Sequence, residues 1–179
     1  MTTYAGTPVI ANEVKQSHTL LLHPRILEVS LNKGLKFETY GNCFVCGENN
    51  PNGLRLSFEI DTQRQTLKTT FKASPTFQGW DGIVHGGIIS TLLDEAMAKL
   101  VYELGYQAIT ASLEIKFKKP APILEPLTVY GEITEVSRRL IRAKAHVAKD
   151  DGTILATGNS TFLKQRPPLT PSLSPEPVS

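Results

Sequence analysis

Between Gly86 and about Leu104 the apolar residues Ile89, Leu92, Leu93, Ala96, Met97, Leu100, Val101 and Leu104 recur at steps of three and four. This is the one long helical stripe in a chain whose other patterned segments alternate with period two. A helix of that length must bury its stripe, and a sheet is the partner on offer. Gly105 follows as a stop signal. At the other end, His85-Gly86-Gly87 leaves the first-turn N–H groups uncovered, where the helix dipole favours developing negative charge. Asp94 lies about two turns further on. At about 100° per residue it falls on one flank of the stripe near Ser90, while Glu95 points to the other flank, so the two acids have separate roles. A carboxylate there can activate water or attack a carbonyl whose oxygen is held by the Gly86 or Gly87 amide, a minimal site for acyl chemistry.

Leu54 to Ile60 alternates apolar and polar residues, Asp61 begins a turn, and Thr66 to Phe71 resumes strand-forming residues, which reads as a hairpin. Ser74 to Gly82, with Pro75, Gly79, Trp80, Asp81 and Gly82, reads as a loop without regular structure. After the helix, Thr110 to Lys118 alternates with Ala111, Leu113, Ile115 and Phe117 on one apolar face and ends at Pro120 and Pro122. Leu127 to Val136, Leu140 to Ala148 and Thr153 to Leu163 are three further strands, with Asp150-Asp151-Gly152 as a hairpin turn. Two strands, one helix and four strands imply an α+β fold, in which a curved antiparallel sheet wraps around one long central helix.

The chain has 179 residues and is 40% hydrophobic, enough for one domain with a core and too short for two substantial ones. Residues 1–40 show no sustained period and are expected to be a flexible extension. The domain is expected over 41–165, and 166–179 forms a flexible proline-rich tail in which backbone donors are repeatedly missing. A formal charge of +2 with scattered basic residues does not argue for nucleic acid. No apolar run near 18 residues and no export segment is evident, so neither membrane nor secretion is expected, and the cytoplasm is. Cys43 and Cys46 do not make a disulfide framework. Their spacing is that of half a zinc site, but no second pair or well-spaced histidine completes it, and ordinary thiols in a turn are the simpler reading. No metal or other cofactor is expected.

Several phrases in order resemble hotdog-fold acyl-CoA thioesterases, in particular the phenylacetate-pathway (PaaI-like) branch. They are Cys43-Phe44-Val45-Cys46-Gly47, Asn50-Pro51-Asn52-Gly53-Leu54, Phe77-Gln78-Gly79-Trp80-Asp81-Gly82-Ile83-Val84-His85-Gly86-Gly87, Leu92-Leu93-Asp94-Glu95-Ala96-Met97 and Phe117-Lys118-Lys119-Pro120-Ala121-Pro122. The similarity spans about 43 to 164. It implies that Asp94 is the catalytic carboxylate, that the Gly86 amide polarises the thioester carbonyl, and that the site is shared between protomers of a homodimer or homotetramer acting on acyl-CoA. It also implies a hydroxyl residue on the strand after the helix, supplied by the partner chain, that helps hold the attacking water: Thr110 first, with Ser112 on the same strand face second. Some relatives carry Asn in the loop before the histidine, where this chain has Gly79 near that point, with Gln78 and Asp81 beside it.

Competing readings stand beside these roles. His85 acts as a general acid or as a positioning and capping residue. Gly86 and Gly87 form an oxyanion donor or merely permit close helix–strand packing. Glu95 reads as structural or solvent-facing. Trp80 lines the acyl or pantetheine channel or caps the core. Lys116, Lys118, Arg138, Arg139 and Arg142 are a solvated face or hold the phosphates of coenzyme A. His146, on a strand face with Lys144, belongs to surface or groove. A non-catalytic acyl-CoA-binding module is the alternative function, and a hotdog hydratase ranks last because its Asp-x-Asn pattern is missing.

Overall fold

A computed structural model describes residues 40–165. The expected N-terminal extension and proline-rich tail lie outside the described residues. A turn around Cys43–Gly47 leads to β1 (Glu59–Asp61), β2 (Thr66–Lys72), β3 (Gln78–Trp80) and β4 (Ile83–Val84). Helix α1 (Gly86–Glu103) follows, then β5 (Ala108–Phe117), β6 (Pro126–Val136), β7 (Leu140–Lys149) and β8 (Ile154–Lys164). Six strands form one antiparallel sheet in the order β1-β2-β6-β7-β8-β5, and β3 and β4 form a separate hairpin. The architecture is the α+β one expected, with one long helix on a curved antiparallel sheet.

The helix buries Ile89, Leu92, Leu93, Ala96, Met97, Leu100 and Val101 against the sheet, each large side chain contributing about 2 kcal/mol of transfer free energy. The contact is close because β6 and β8 present glycines to it. A Cβ on Gly131 would meet the Ala96 carbonyl oxygen at 3.2 Å, and one on Gly158 would meet Leu93 Cβ at 3.4 Å. The helix ends as its sequence predicts. Gly105 takes φ +82°, its N–H reaches the Tyr102 carbonyl, and the Tyr106 N–H reaches that of Val101, which pairs two of the last-turn acceptors. At the β7–β8 turn Gly152 has φ +80°, and Asp151 accepts from the Thr153 N–H, as expected for a hairpin.

Three expectations are corrected. Only Glu59–Asp61 of the first strand enters the sheet. Leu54 and Leu56 instead donate to the Phe44 and Val45 carbonyls, and Arg55 takes φ 54°, so alternation there reflects partial burial against the cysteine turn. The Ser74–Gly82 loop contains a 3-10 turn, Pro75–Phe77, and the strand β3. The β5 strand starts at Ala108 and is bulged between Thr110 and Ser112. That bulge decides which side chains face the helix.

Candidate functional site

Cross-strand partners in a sheet share a face, so register identifies the inward positions of β5. Phe117 pairs with Ala156, Ile115 with Gly158 and Leu113 with Ser160, all buried partners on the helix side. Regular alternation would carry Ala111 to that side and turn Thr110 away. Because Ala111 is the extra residue of the bulge, Thr110 pairs with buried Phe162 and faces the helix. Ser112 pairs with Thr161, whose partner on β7 is the exposed Arg142, so Ser112 faces the other way. The expectation that Thr110 and Ser112 share a face is therefore wrong, for a reason that period-two counting cannot contain.

Thr110 Oγ1 donates to Asp94 Oδ1 at 3.0 Å, a bond from edge strand to helix within one chain, so the hydroxyl expected from the partner chain reaches this carboxylate from the same chain instead. Asp94 is half-buried on the flank of the apolar stripe. Burial pushes its carboxyl above its ordinary value, and the Thr110 hydrogen bond pulls it partly back. The result is a carboxylate with a fixed orientation and raised basicity.

At the head of the helix, His85 is the N-cap. Its Nδ1 accepts from the Gly87 N–H at 2.9 Å, which requires that nitrogen unprotonated and leaves any ring proton on Nε2. The His85 carbonyl accepts from Ile88 and Ile89. Of the two glycine amides, Gly87 is thus occupied, and Gly86 has no acceptor among the described residues. The Gly86 N–H is a donor at the positive end of an 18-residue helix, suited to an oxygen that gains charge. Gly86 has a close neighbour that sequence reading missed: a Cβ there would meet the Phe117 ring at 3.3 Å. The apolar alternation marked Phe117 as inward, but only the fold brings it to the helix start.

Gly79 lies against His85, its hypothetical Cβ 3.1 Å from His85 Cδ2, and the β3–β4 hairpin holds it there with a bond from the His85 N–H to the Phe77 carbonyl. Trp80 on the same hairpin is 81% exposed, so it does not cap the core. Arg138 and Arg139 sit in the β6–β7 turn, exposed. The Arg139 carbonyl accepts from Lys164, the β8 partner of Ala108, which sets this turn two strand spacings, about 10 Å, from the start of β5. Neither arginine contacts Asp94. Arg142 pairs with Glu135 and Lys116 with Glu114 on the surface. His146 stacks on Tyr130 in a groove on the far face of the sheet, where burial first and then Lys118 and Lys144 lower its proton affinity.

The β5 strand pairs only with β8 among the described residues and exposes Ile109, Leu113 and Phe117 at 42%, 36% and 58%. A ten-residue edge strand of this kind leaves its outer backbone N–H and C=O groups without a strand partner among the described residues. No helix among the described residues is long and apolar enough to cross a membrane.

Residues 81–156 match the thioesterase superfamily. The chain is 30% identical over 121 residues to acyl-coenzyme A thioesterase THEM4 of Rattus norvegicus, covering 66% of this chain and 52% of that one. It spans about half the length of such curated relatives. Among solved structures, a thioesterase superfamily protein superposes with a TM-score of 0.65 at 26% identity, over 68% of this chain and 60% of the other. A Bacillus halodurans protein crystallised with CoA does so with a TM-score of 0.54 at 26% identity, over 62% and 74%. The matched residues contain helix α1 and the strands β5, β6 and β7, and over them the chain is similar to the thioesterase superfamily, with the fold of its solved members.

Proposed function

We propose that the protein hydrolyses an acyl-CoA thioester to the free acid and coenzyme A, at sites shared between two copies of the chain. The observation that carries this reading is the Asp94–Thr110 pair, a half-buried carboxylate steered by a hydroxyl, on the same helix as the unused Gly86 donor. The Thr110 oxygen can accept one hydrogen of a water while Asp94 Oδ2 takes the other. The water oxygen then adds to the carbonyl carbon, the C–S bond breaks, and the proton passes to the leaving thiolate. Negative charge on the carbonyl oxygen is met by the Gly86 N–H.

Gly86 and Asp94 are eight positions apart in α1, about 12 Å along the axis. A carbonyl that accepts from an amide and is attacked directly spans roughly 7 Å from donor to attacking oxygen, and an interposed water reaches farther only if every link is stretched in line. The fitting arrangement takes Gly86 from one copy and Asp94 with Thr110 from the other, and pairing through the exposed β5 edge is the natural route to it. A homodimer, or a homotetramer built from it, follows. In this reading Gly79, Gly87 and Trp80 border the approach to the Gly86 donor. Arg138 and Arg139, which make no ion pair among the described residues, meet the CoA phosphates. Two free thiols, Cys43 and Cys46, suit a reducing compartment such as the cytoplasm. The solved relative crystallised with CoA and the curated relatives named acyl-coenzyme A thioesterases support the substrate class.

The test is thiol release from short, medium, long and aromatic acyl-CoAs by wild type and Asp94→Asn, with folding and oligomeric state of both measured. Turnover in the wild type and its loss in the variant support the proposal. CoA-ester binding without turnover by the wild type, or wild-type rates in a folded Asp94→Asn, would reject it.

A further inference from the structure

The flank of α1 opposite Asp94 carries a second group of reactive side chains that hydrolysis does not use. Cys43 and Cys46 come from the turn before β1, Glu95 from the middle of the helix, and one ligand atom from each lies within 4.8 Å of the others. The turn has the features of a metal knuckle. The Val45 N–H points at Cys43 Sγ at 3.3 Å, and the Gly47 N–H bonds the Cys43 carbonyl at 3.0 Å. Position 47 admits only glycine, because a Cβ would meet the Cys43 backbone at 2.5 Å. Cys43 Sγ lies 3.6 and 3.7 Å from the two Glu95 carboxylate oxygens. A tetrahedral zinc, with metal–sulfur about 2.3 Å and metal–oxygen about 2.1 Å, holds its sulfur and oxygen ligands about 3.6 Å apart.

We propose that Cys43, Cys46 and Glu95 form a binding site for a thiophilic divalent cation, zinc by preference, which fastens the cysteine turn to helix α1. Two thiolates and a carboxylate supply three donors, and water supplies the fourth through the cavity of about 420 Å³ that Cys46 helps to line with Leu56, Phe58, Lys99 and Glu103. On binding, two S–H bonds break, two metal–sulfur bonds form, and two protons leave to solvent, so affinity rises with pH. Without a cation, burial and the Glu95 carboxylate hold the Cys46 proton tightly in place. The sequence expectation of no metal rested on an incomplete ligand set; the third ligand is supplied by a residue 52 positions from Cys43. The site does not depend on hydrolysis, and its test does not read activity.

The experiment adds Zn²⁺ or Co²⁺ to the full chain after treatment with reductant and chelator, with free thiols counted before and after. The proposal expects one equivalent per chain, thiolate-to-cobalt absorption, protection of both thiols from alkylation, and release of about two protons per cation at a pH where the thiols start protonated. Cys43→Ser and Cys46→Ser should each weaken binding by at least about 100-fold and Glu95→Gln by about tenfold. If a cysteine variant fails to fold, the cobalt spectrum of the wild type and the Glu95→Gln affinity decide. A reduced chain with two titratable thiols that takes up no cation, or variants that bind as tightly as the wild type, would overturn the proposal. A chain isolated with the pair oxidised that gains stoichiometric zinc on reduction supports it, and one that stays metal-free after reduction overturns it.

Discussion

Replacing Gly86 by proline isolates one atom of the proposed chemistry. Gly86 is the first residue of α1, and its N–H has no partner within the helix. Proline is favoured at that position because its missing donor is one the helix does not use and its φ is already helical. His85 before it has φ −59° and ψ 134°, the extended region that a residue preceding proline requires. The added Cβ comes into contact with the Phe117 ring, which lies 3.3 Å from a Cβ at this position. That ring is 58% exposed and can move. Stability should therefore change by less than about 1 kcal/mol, since the reduced freedom of the unfolded chain offsets the displaced ring. Losing an oxyanion donor should lower kcat by about 10²–10³, or roughly 2.7–4 kcal/mol of transition-state stabilisation. Gly86→Ala is the control: it adds the same Cβ against Phe117 but keeps the N–H, and should retain activity within a few-fold. Steady-state thiol release and urea unfolding on both variants complete the assay. Equal kcat/KM for the two, with both folded, would refute the role of the amide and assign any loss to crowding of Phe117.

Thr110→Val keeps the shape of the side chain but removes the donor to Asp94, and should lower kcat/KM about tenfold; Ser112→Ala, on the other face of β5, should change it by less than about twofold. Gly131→Ala drives a Cβ to within 3.2 Å of the Ala96 carbonyl oxygen, and urea titration should show a loss of about 1–3 kcal/mol, whereas unchanged stability would mean that the helix can lift from the sheet freely. Protonation of His146 is disfavoured by burial and by Lys118 and Lys144, so its folded pKa lies below its unfolded one. Its contribution is present above the unfolded value near 6.5 and is lost as pH falls through the folded value. The wild type should thus lose more stability than His146→Gln on acidification below neutral pH, as followed by urea unfolding, and parallel losses would contradict this.

The parts of this fold that could be read from the residues are those governed by local period and local turn chemistry. The α1 stripe, its Gly105 stop, the Asp151-Gly152 turn and the strands β6, β7 and β8 all follow from spacing that neighbours in the chain enforce. What escaped reading depends on partners distant in sequence. Leu54 and Leu56 alternate like a strand but spend their N–H groups on Phe44 and Val45. The short β3 exists because Ile83 and Val84 return to pair with it. Ala111 looks like any apolar strand residue, yet it is the bulge that turns Thr110 toward Asp94. The positions of Asp94 and Glu95 on opposite flanks were legible at 100° per residue. That Glu95 meets Cys43 was not, since no periodicity relates a turn to a helix 52 positions away.

The claim on which the hydrolytic account rests is that one carbonyl is served by Gly86 of one copy and Asp94 of another. Mixing two inactive variants, Gly86→Pro and Asp94→Asn, under conditions that exchange subunits tests it directly. If sites are shared, each mixed dimer rebuilds one intact site, and a random mixture should recover about a quarter of wild-type turnover. If both groups act within one chain, no intact site can form, and a mixture that has demonstrably exchanged but stays inactive contradicts the account.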